Sequence, residues 1–377
     1  MTRYMAPVLA AIFATASYSD APAGKIGFYH WRGQYTTSMS EGVERVASIG
    51  GSAVRVVISP WYYIDYNISS ACYPNYSLSA IMSEPDVKRA LDNPSVDVYM
   101  LTTYDGTTSS GCQTRFLNPS FYSAENTAAL IEEYSDFTLY LEKTYQETHK
   151  RFIISEWEDD NMVYCQSAYY YAVDPQFRGD CDVNYSAKYG NSSPAESMEG
   201  LKLWLQARQQ GIADGRNRAE ALGIANVEVD FAPEFANSRS LHDAGLESVL
   251  YDVLPSVLSD YVSYSAYESI NTPDAAGTLI ADLNTIRDIA GSRAIIIGES
   301  GFDRVLCGSQ SVARTDAVIR AALYAGVAYV FQWNVYDQDA NDEYGLFDLD
   351  GNQTALGAYF QMMLSAQTPH HGSLITE

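Results

Sequence analysis

Eight short apolar runs, rich in Val, Ile, Tyr and Phe, recur along this chain. Several apolar residues follow one another in each run, as in Ile295-Ile296-Ile297, without the polar alternation of a half-exposed strand. Such runs predict strands that are buried on both faces, which is typical of parallel sheets covered by helices. The predicted strands are 25–31, 53–59, 96–105, 151–160, 227–232, 261–268, 293–301 and 328–337.

Longer segments between these strands predict helices, and glycines such as Gly50-Gly51 and Gly326 end two of them. The predicted helices are 38–49, 84–91, 123–149, 195–222, 246–258, 273–290, 311–325 and 355–365. Strict alternation of strand and helix indicates a parallel sheet, and eight such units predict an α/β fold, a closed (β/α)8 TIM barrel. A doubly wound open sheet is the alternative, but no Gly-x-Gly-x-x-Gly follows the first strand.

Two connections of the predicted barrel are unusually long. The connection between the second predicted strand and the second predicted helix opens with Pro60-Trp61-Tyr62-Tyr63 and is rich in Tyr and Ser. The connection between the fourth strand and the fourth helix runs from Asn161 to about Pro194. We interpret both as long loops of a single domain formed by residues 24–366. Irregular segments as long as the second one are usually functional in compact domains.

The two ends of the chain predict segments outside the barrel. Arg3, the apolar stretch that follows it and Ala14-Thr15-Ala16 predict a secretory signal peptide of residues 1–16, with an alternative cleavage as late as residue 23. Residues 367–377 are predicted to form a flexible tail. No later apolar run approaches the length of a membrane span. We therefore expect a secreted, extracellular protein.

Export makes disulfides and glycosylation relevant. Cys165 and Cys181 could close one loop, and Cys72 and Cys112 could join two neighbouring loops, which would leave Cys307 unpaired. A glycoprotein is expected if the host modifies its sequons, which would then be surface sites. The sequons are at Asn67, Asn75, Asn184, Asn191 and Asn352.

Charge and composition exclude several classes of function. A net charge of -24 leaves no basic patch for nucleic acid or an anionic membrane, and a neutral substrate fits best. None of the five cysteines forms a Cys-x-x-Cys motif, and the five histidines are too few for a metal-dependent barrel hydrolase. No metal or cofactor is therefore expected.

Carboxylates stand at the ends of two predicted strands, the fourth and the seventh. Glu156 and Glu158 end the fourth strand, and Glu299 ends the seventh between two glycines. Active sites of (β/α)8 barrels lie at the C-terminal ends of the strands, so these groups would face each other across the mouth of the barrel. Two carboxyl groups across a sugar are the machinery of glycoside hydrolysis.

These motifs resemble the clan of retaining (β/α)8-barrel glycoside hydrolases, the cellulase-like superfamily. Ile297-Gly298-Glu299-Ser300-Gly301 is similar to the clan's nucleophile motif on strand seven, and Phe331-Gln332-Trp333-Asn334 to the segment that carries its sugar-stacking tryptophan. Val54-Arg55-Val56 resembles the segment whose arginine hydrogen-bonds the nucleophile, and Tyr264 or Tyr267 would do the same from strand six. The resemblance implies that Glu299 is the nucleophile and that Arg55, Gln332 and Trp333 belong to the site.

The fourth strand departs from the clan, which usually has Asn-Glu there. In Ser155-Glu156-Trp157-Glu158, either glutamate could be the acid/base, and we favour Glu158 because Trp157-Glu158 resembles some secreted members of the superfamily. By the two-residue period of a strand, both side chains would point inward.

Aromatic residues at other strand ends predict platforms for sugar rings, namely Tyr29, Trp31, Trp61, Tyr104 and Tyr336. His30 could contact substrate or belong to the core. Glu228 and Asp230 could bind substrate at the rim or form a structural pair in the barrel, and we favour the structural pair. The resulting prediction is a secreted retaining glycosidase that cleaves a neutral polysaccharide or oligosaccharide with two glutamates. The alternative is a non-catalytic barrel that binds glycans or has a structural role; it would keep the aromatics but need no carboxylate pair.

Overall fold

The structure, a computed structural model, describes residues 23–32 and 38–366. The predicted signal peptide of residues 1–16 and the predicted tail of residues 367–377 lie outside this range. Among the described residues, no helix has the length and apolarity needed to cross a membrane.

A closed parallel barrel forms the centre of the described chain, which confirms the predicted (β/α)8 fold. Its strands are β1 Ile26–His30, β2 Ala53–Ile58, β3 Val98–Thr103, β4 Arg151–Ser155, β5 in two segments (Glu228–Phe231 and Glu234–Ala236), β6 Tyr261–Ser265, β7 Ala294–Ser300 and β8 Tyr329–Trp333. Pairing runs from β1 through β5 on one side and from β1 through β8, β7 and β6 on the other. The first segment of β5 pairs with β4 and the second with β6, so the interrupted strand closes the barrel.

The interruption of β5 falls at Ala232-Pro233, where proline has no N–H to donate to a neighbouring strand. Glu234 begins the second segment, and its side chain is fully buried. The break therefore delivers a charged side chain into the upper part of the barrel.

Helices cover the outside of the barrel much as predicted. They are Met39–Ser48, Pro85–Leu91, Ala124–Tyr145, Pro194–Ala221, Ala275–Ala290, Ser311–Tyr324 and Ala355–Ser365. The helix predicted over 246–258 was wrong, because this segment forms a π-helical turn, Val249–Val253, and a 3-10 turn, Leu254–Ser256. Pro255 lacks the N–H that a continuous α-helix would need.

The connection after β4 is long, as predicted, but it is not an irregular loop. It contains the helices Asp159–Val163, Ala168–Val173 and Pro175–Tyr189. The last of these has local signals that the Tyr-rich composition obscured: Asp174 caps its N-terminus, Pro175 occupies the first turn, and Gly190 ends it in the left-handed region. The long connection after β2 likewise contains two short helices, Tyr62–Asp65 and Leu78–Ile81.

Both expected disulfides are present. Cys72 is bonded to Cys112 and Cys165 to Cys181, while Cys307 is a free, half-buried thiol. One predicted glycosylation site is contradicted: Asn191 is buried, and its Nδ2 donates to the Leu117 carbonyl and to Ser197, so this side chain has no room for a glycan.

The barrel interior is layered along its axis. A polar cluster around Arg151 lies at the N-terminal ends of the strands. An apolar layer above it contains Met100, Ile153, Ile296 and Phe331. Gly27 makes room for this layer, since a Cβ there would lie 2.4 Å from the Phe331 ring. A second polar layer, at the C-terminal ends of the strands, forms the floor of the site.

Candidate active site

A cavity of about 720 Å³ opens at the C-terminal ends of the strands. Both Glu158 and Glu299 line it, one beyond β4 and the other in β7. The aromatic residues on its wall are Tyr29, Trp31, Trp61, Tyr104, Trp157, Tyr267, Trp333 and Tyr344. Two carboxyl groups therefore share one concave, largely aromatic space at the end of the barrel where chemistry is usual.

Glu299 lies at an irregularity of β7, where the pairing register shifts after Ile297. The Tyr267 hydroxyl faces its carboxylate and opposes the rise of its pKa. Its Oε2 atom is buried and has no hydrogen-bond partner among the described residues. Tyr267, rather than Tyr264, is thus the tyrosine that contacts this glutamate.

Glu158 is the N-cap of the short helix Asp159–Val163 and adopts a left-handed backbone conformation, with φ 40° and ψ 62°. Non-glycine residues in this region are uncommon and concentrate at functional sites. The Ser265 hydroxyl donates to Glu158 Oε1, and Asn161 Nδ2 donates to Oε2. Asn161 is held in this orientation because its Oδ1 accepts the Ala168 N–H at 2.7 Å.

Ser265 links the two glutamates. In the sheet it is the register partner of Glu299, and its side chain reaches Glu158. Burial raises the pKa of Glu158 to about 7, opposed by the donors Ser265 and Asn161. Burial and the charge of Glu158 raise the pKa of Glu299 well above its usual value. The two carboxyl groups therefore titrate as a coupled pair, in which the ionisation of one raises the pKa of the other.

Glu156 does not reach the cavity. The strand ends at Ser155, so the two-residue alternation that would place Glu156 and Glu158 on one face does not continue. Glu156 is fully buried, lies 2.6 Å from Arg208 Nη1, and accepts the Glu234 N–H at 2.6 Å. The structure thus gives Glu156 a supporting position behind the site.

Arg55, which was expected to belong to the site, also lies outside the cavity and therefore does not bind substrate. All five of its N–H groups are engaged elsewhere: Nε with Thr102, Nη1 and Nη2 with both Glu234 oxygens, and the remaining two with the carbonyls of Gly298 and Glu156. No donor is left for Glu299. The expected direct bond from this arginine to the carboxylate is therefore replaced by a bond to the preceding carbonyl.

The aromatic predictions separate into two groups. Trp31, Trp61, Tyr104, Tyr267, Trp333 and Tyr29 line the cavity. Tyr29 and Trp333 meet edge to face at 4.8 Å, and Trp31 lies 5.7 Å from Trp333. Trp61 and Tyr104 form a second pair, 5.7 Å apart. Rings of this kind offer flat apolar surfaces to a ligand with apolar faces.

The other predicted contacts are buried outside the cavity. Tyr264 stacks on Phe235 and hydrogen-bonds Ser269, and Gln332 Nε2 donates to the Trp333 carbonyl. Tyr336 donates to Glu41 at 2.6 Å. His30 is a core residue: burial lowers its pKa to about 4, and its ring packs where a side chain on residue 42 would stand.

Several residues of the site were missed in the sequence. Asp65, Asn161 and Tyr344 line the cavity, while Glu234 and Ser265 support it from below. Asp65 belongs to the short helix after β2 and accepts a hydrogen bond from the Ser59 hydroxyl, and burial raises its pKa to about 6. Only Ser265, which lies within the predicted strand 261–268, had a position that indicated a role.

A closed parallel barrel with a carboxyl pair and aromatic walls at its C-terminal mouth defines the class: a (β/α)8-barrel protein with a ligand site at the usual end. No protein-family model matches this chain, and no curated protein matches it. Solved structures do resemble it.

Solved structures that match with a TM-score above 0.5 include the following three. A GH5_18 protein from Streptomyces cattleya, solved in complex with GlcNAc, is 12% identical over 93% of this chain and 82% of its own, with a TM-score of 0.58. A GH5_18 protein from Bifidobacterium longum subsp. infantis is 16% identical over 90% and 78%, with a TM-score of 0.53. The beta-glucosidase 1317 is 14% identical over 88% of both chains, with a TM-score of 0.54. At these identities the likeness is one of fold.

Proposed function

We propose that this protein is a secreted retaining glycoside hydrolase that cleaves a neutral oligosaccharide or polysaccharide. The observation that carries the proposal is that Glu158 and Glu299 share one cavity with aromatic walls. Carboxyl pairs of this kind on opposite sides of a barrel mouth suit attack on a glycosidic bond by double displacement. Structural neighbours named GH5_18 and beta-glucosidase have the same fold and are consistent with this chemistry.

In the first step, the Glu299 carboxylate attacks the anomeric carbon, and the bond from that carbon to the leaving oxygen breaks. Glu158 gives its proton to the leaving oxygen, so that the products are a glycosyl ester on Glu299 and a free alcohol. In the second step, Glu158 removes a proton from water while the water oxygen attacks the anomeric carbon. Glu299 leaves as a carboxylate, and the product keeps the configuration of the substrate.

The electrostatic character of the cavity supports a neutral substrate. None of the described residues that line it is Lys, Arg or His, whereas Asp65, Glu158, Glu299 and Asp342 are acidic. Uronic acids and sulfated sugars would therefore meet only repulsion. Trp31, Trp61 and Trp333 provide stacking surfaces for sugar rings, and the Asp65 carboxylate provides an acceptor for sugar hydroxyl groups.

Secretion is supported by the two disulfides, since such bonds persist in oxidising compartments. Expression of the full chain, followed by N-terminal sequencing of the exported product, tests this part. A product that begins after residue 16 or 23 is expected, and retention of the intact N-terminus inside the cell would contradict it.

The decisive experiment is a screen of the protein on neutral oligosaccharides and polysaccharides, with GlcNAc-containing substrates included because one structural neighbour was solved with that sugar. The anomeric form of the first product is read by NMR. Retention is expected, and inversion would overturn the double displacement.

Azide then assigns the two roles. In Glu299→Ala, azide can take the place of the missing carboxylate and give a glycosyl azide of inverted configuration. In Glu158→Ala, azide can attack the glycosyl enzyme and give one of retained configuration. Glu228→Ala, at the opposite end of the barrel, is the matched control and should form no azide product. Binding of glycans without hydrolysis by the native protein would instead favour a non-catalytic barrel.

A further inference from the structure

A buried ion pair lies directly beneath the two glutamates of the site. Arg55 Nη1 and Nη2 bind Glu234 Oε2 and Oε1 at 2.6 and 2.8 Å, and both side chains are fully buried. Neither residue lines the cavity, so neither touches a bound sugar. The ion pair is oriented in the site, because its anionic end contacts the segment that carries one glutamate and its cationic end contacts the segment that carries the other.

The anionic end contacts the segment that carries Glu158. Glu234 Oε1 accepts the backbone N–H of Glu158 at 3.2 Å, and Oε2 accepts the Ser263 hydroxyl at 2.8 Å. The bond to Glu158 holds its backbone at the left-handed turn. The Glu234 carboxylate therefore lies next to this residue.

The cationic end contacts the segment that carries Glu299. Arg55 Nη1 donates to the carbonyl of Gly298, the residue just before Glu299, at 2.9 Å. Gly298 is required for this approach, since a Cβ there would lie 2.0 Å from Glu234 Oε2 and 2.2 Å from Ser263 Oγ. The glycine of the strand-seven motif thus makes room for the ion pair.

We propose that the Arg55–Glu234 ion pair is a positioning device that biases the proton of the carboxyl pair toward Glu158 and away from Glu299. This proposal rests on the proposed function, which needs a proton on Glu158 and a charge on Glu299. A cation beside one carboxyl and an anion beside the other separate two groups that would otherwise compete for one proton.

The charged neighbours of each glutamate agree with this direction. Among the charges around Glu158, the effect of Glu234, which raises its pKa, exceeds that of Arg55, which lowers it. Around Glu299 the order is reversed, and Arg55 lowers the pKa more than Glu234 raises it. The strongest charge that raises the pKa of Glu299 is the Glu158 carboxylate itself, and that effect vanishes once Glu158 is protonated.

The other titratable groups that face the pair do not supply this asymmetry. Tyr267 contacts Glu299 from the segment after β6, and the Tyr29 ring in β1 lies 4.3 Å from the Arg55 guanidinium; burial raises the pKa of both phenols, so they stay neutral. Asp160 follows Glu158 closely in the sequence, but its carboxylate accepts hydrogen bonds from the backbone N–H groups of Ala236 and Val249. Glu156 is paired with Arg208.

The test is to titrate the two site carboxyls by NMR in protein labelled with ¹³C at the glutamate carboxyl, with Glu158→Gln and Glu299→Gln assigning the signals. In Glu234→Gln we expect the pKa of Glu158 to fall by roughly one unit, and the basic limb of the pH–rate profile to move with it. Because Glu234 does not touch the ligand, kcat should fall while KM changes little. Glu228→Gln, on the same strand at the other end, is the control and should shift neither pKa.

A second variant guards against the loss of folding that a lone buried charge causes. In Arg55→Gln/Glu234→Gln both charges are removed, and we expect the pKa of Glu158 to fall and that of Glu299 to rise. Unchanged values in a folded variant would overturn the proposal. The titration needs no turnover, so a protein that hydrolyses no glycoside but shows these shifts would refute the proposed function and leave the role of the ion pair standing.

Discussion

The barrel holds an arginine among carboxylates at each end, and the two clusters differ in their contact with water. At the N-terminal end, Arg151 meets Glu228 and Asp230, and the exposed fractions of these side chains are 30%, 60% and 18%. At the C-terminal end, Arg55 and Glu234 are both 0% exposed. The same chemical pair thus appears once in a solvated setting and once in a dry one.

The difference shows why only one cluster is tied to the site. Solvent-exposed ion pairs contribute about 0–1 kcal/mol to stability, so the lower cluster tolerates loose geometry. Charges taken out of water cost several kcal/mol each unless every donor and acceptor is satisfied. Arg55 meets this demand by using all five N–H groups, and four of the five acceptors lie in Glu234, Gly298 and Glu156. Because the Arg55–Glu234 pair is buried, each of its donors must find an acceptor in the protein, and most of these acceptors lie in the segments that carry the site. The pair therefore holds these segments in place.

The largest expected effect is at Glu299. We expect Glu299→Gln to lower kcat by roughly 10⁴-fold or more, since the amide cannot form the glycosyl ester. Glycan binding should persist, because the shape of the cavity is kept. Asp230→Asn at the lower end is the control, and activity within about twofold of wild type is expected there. Comparable losses of kcat in both variants would show that catalysis does not depend on the C-terminal end of the barrel in particular.

Glu158→Gln should have the next largest effect, about 10²–10⁴-fold on an ordinary glycoside. The loss should shrink for an aryl glycoside whose leaving group needs no proton, because only the attack by Glu299 then remains. The measurement is a comparison of kcat/KM on the two substrates. Equal losses on both would show that Glu158 does not protonate the leaving oxygen.

The fold and the two cavity glutamates could be predicted because they follow local rules. The eight strands are apolar runs, and Glu158 and Glu299 stand where such runs end. The choice between Glu156 and Glu158 depended on the residue at which β4 ends. The strand ends at Ser155, and the two-residue period of side chains in a strand does not predict that position.

The floor of the site depends on contacts between distant parts of the chain. Glu234 follows Pro233, beyond the apolar run that predicted β5, so nothing in its surroundings indicates a strand. Its partner Arg55 is 179 residues away. A buried arginine in a strand indicated that some carboxylate must face it, but the pattern could not say which one.

Removing one arginine from each cluster compares them directly. Arg55→Met leaves Glu234 buried without its partner, and we expect a loss of about 3–5 kcal/mol in the free energy of unfolding. Arg151→Met leaves Glu228 in contact with water, and we expect about 1 kcal/mol or less. Urea unfolding at pH 7 measures both. Equal losses would mean that the Arg55 pair is no more tightly coupled to the fold than the exposed one.

The smallest effect, and the one most specific to the upper end, is the response to pH. Because the pKa of Glu158 is raised to about 7, kcat/KM should fall about tenfold per pH unit above that value, as the residue loses the proton it must donate. The same shift affects stability: a carboxyl whose pKa is higher in the folded state stabilises the fold fully below its unfolded value, near 4.5, and this contribution is lost as the pH rises through about 7.

Circular dichroism at pH 8 therefore has to accompany the rate measurement, so that loss of the proton is separated from loss of structure. Asp230→Asn provides the comparison, since burial raises the pKa of this lower-end carboxyl to about 6. If Glu158 produces the basic limb of the pH–rate profile, the limb stays near pH 7 in Asp230→Asn. A limb that moves in this variant would show that Asp230 produces it instead.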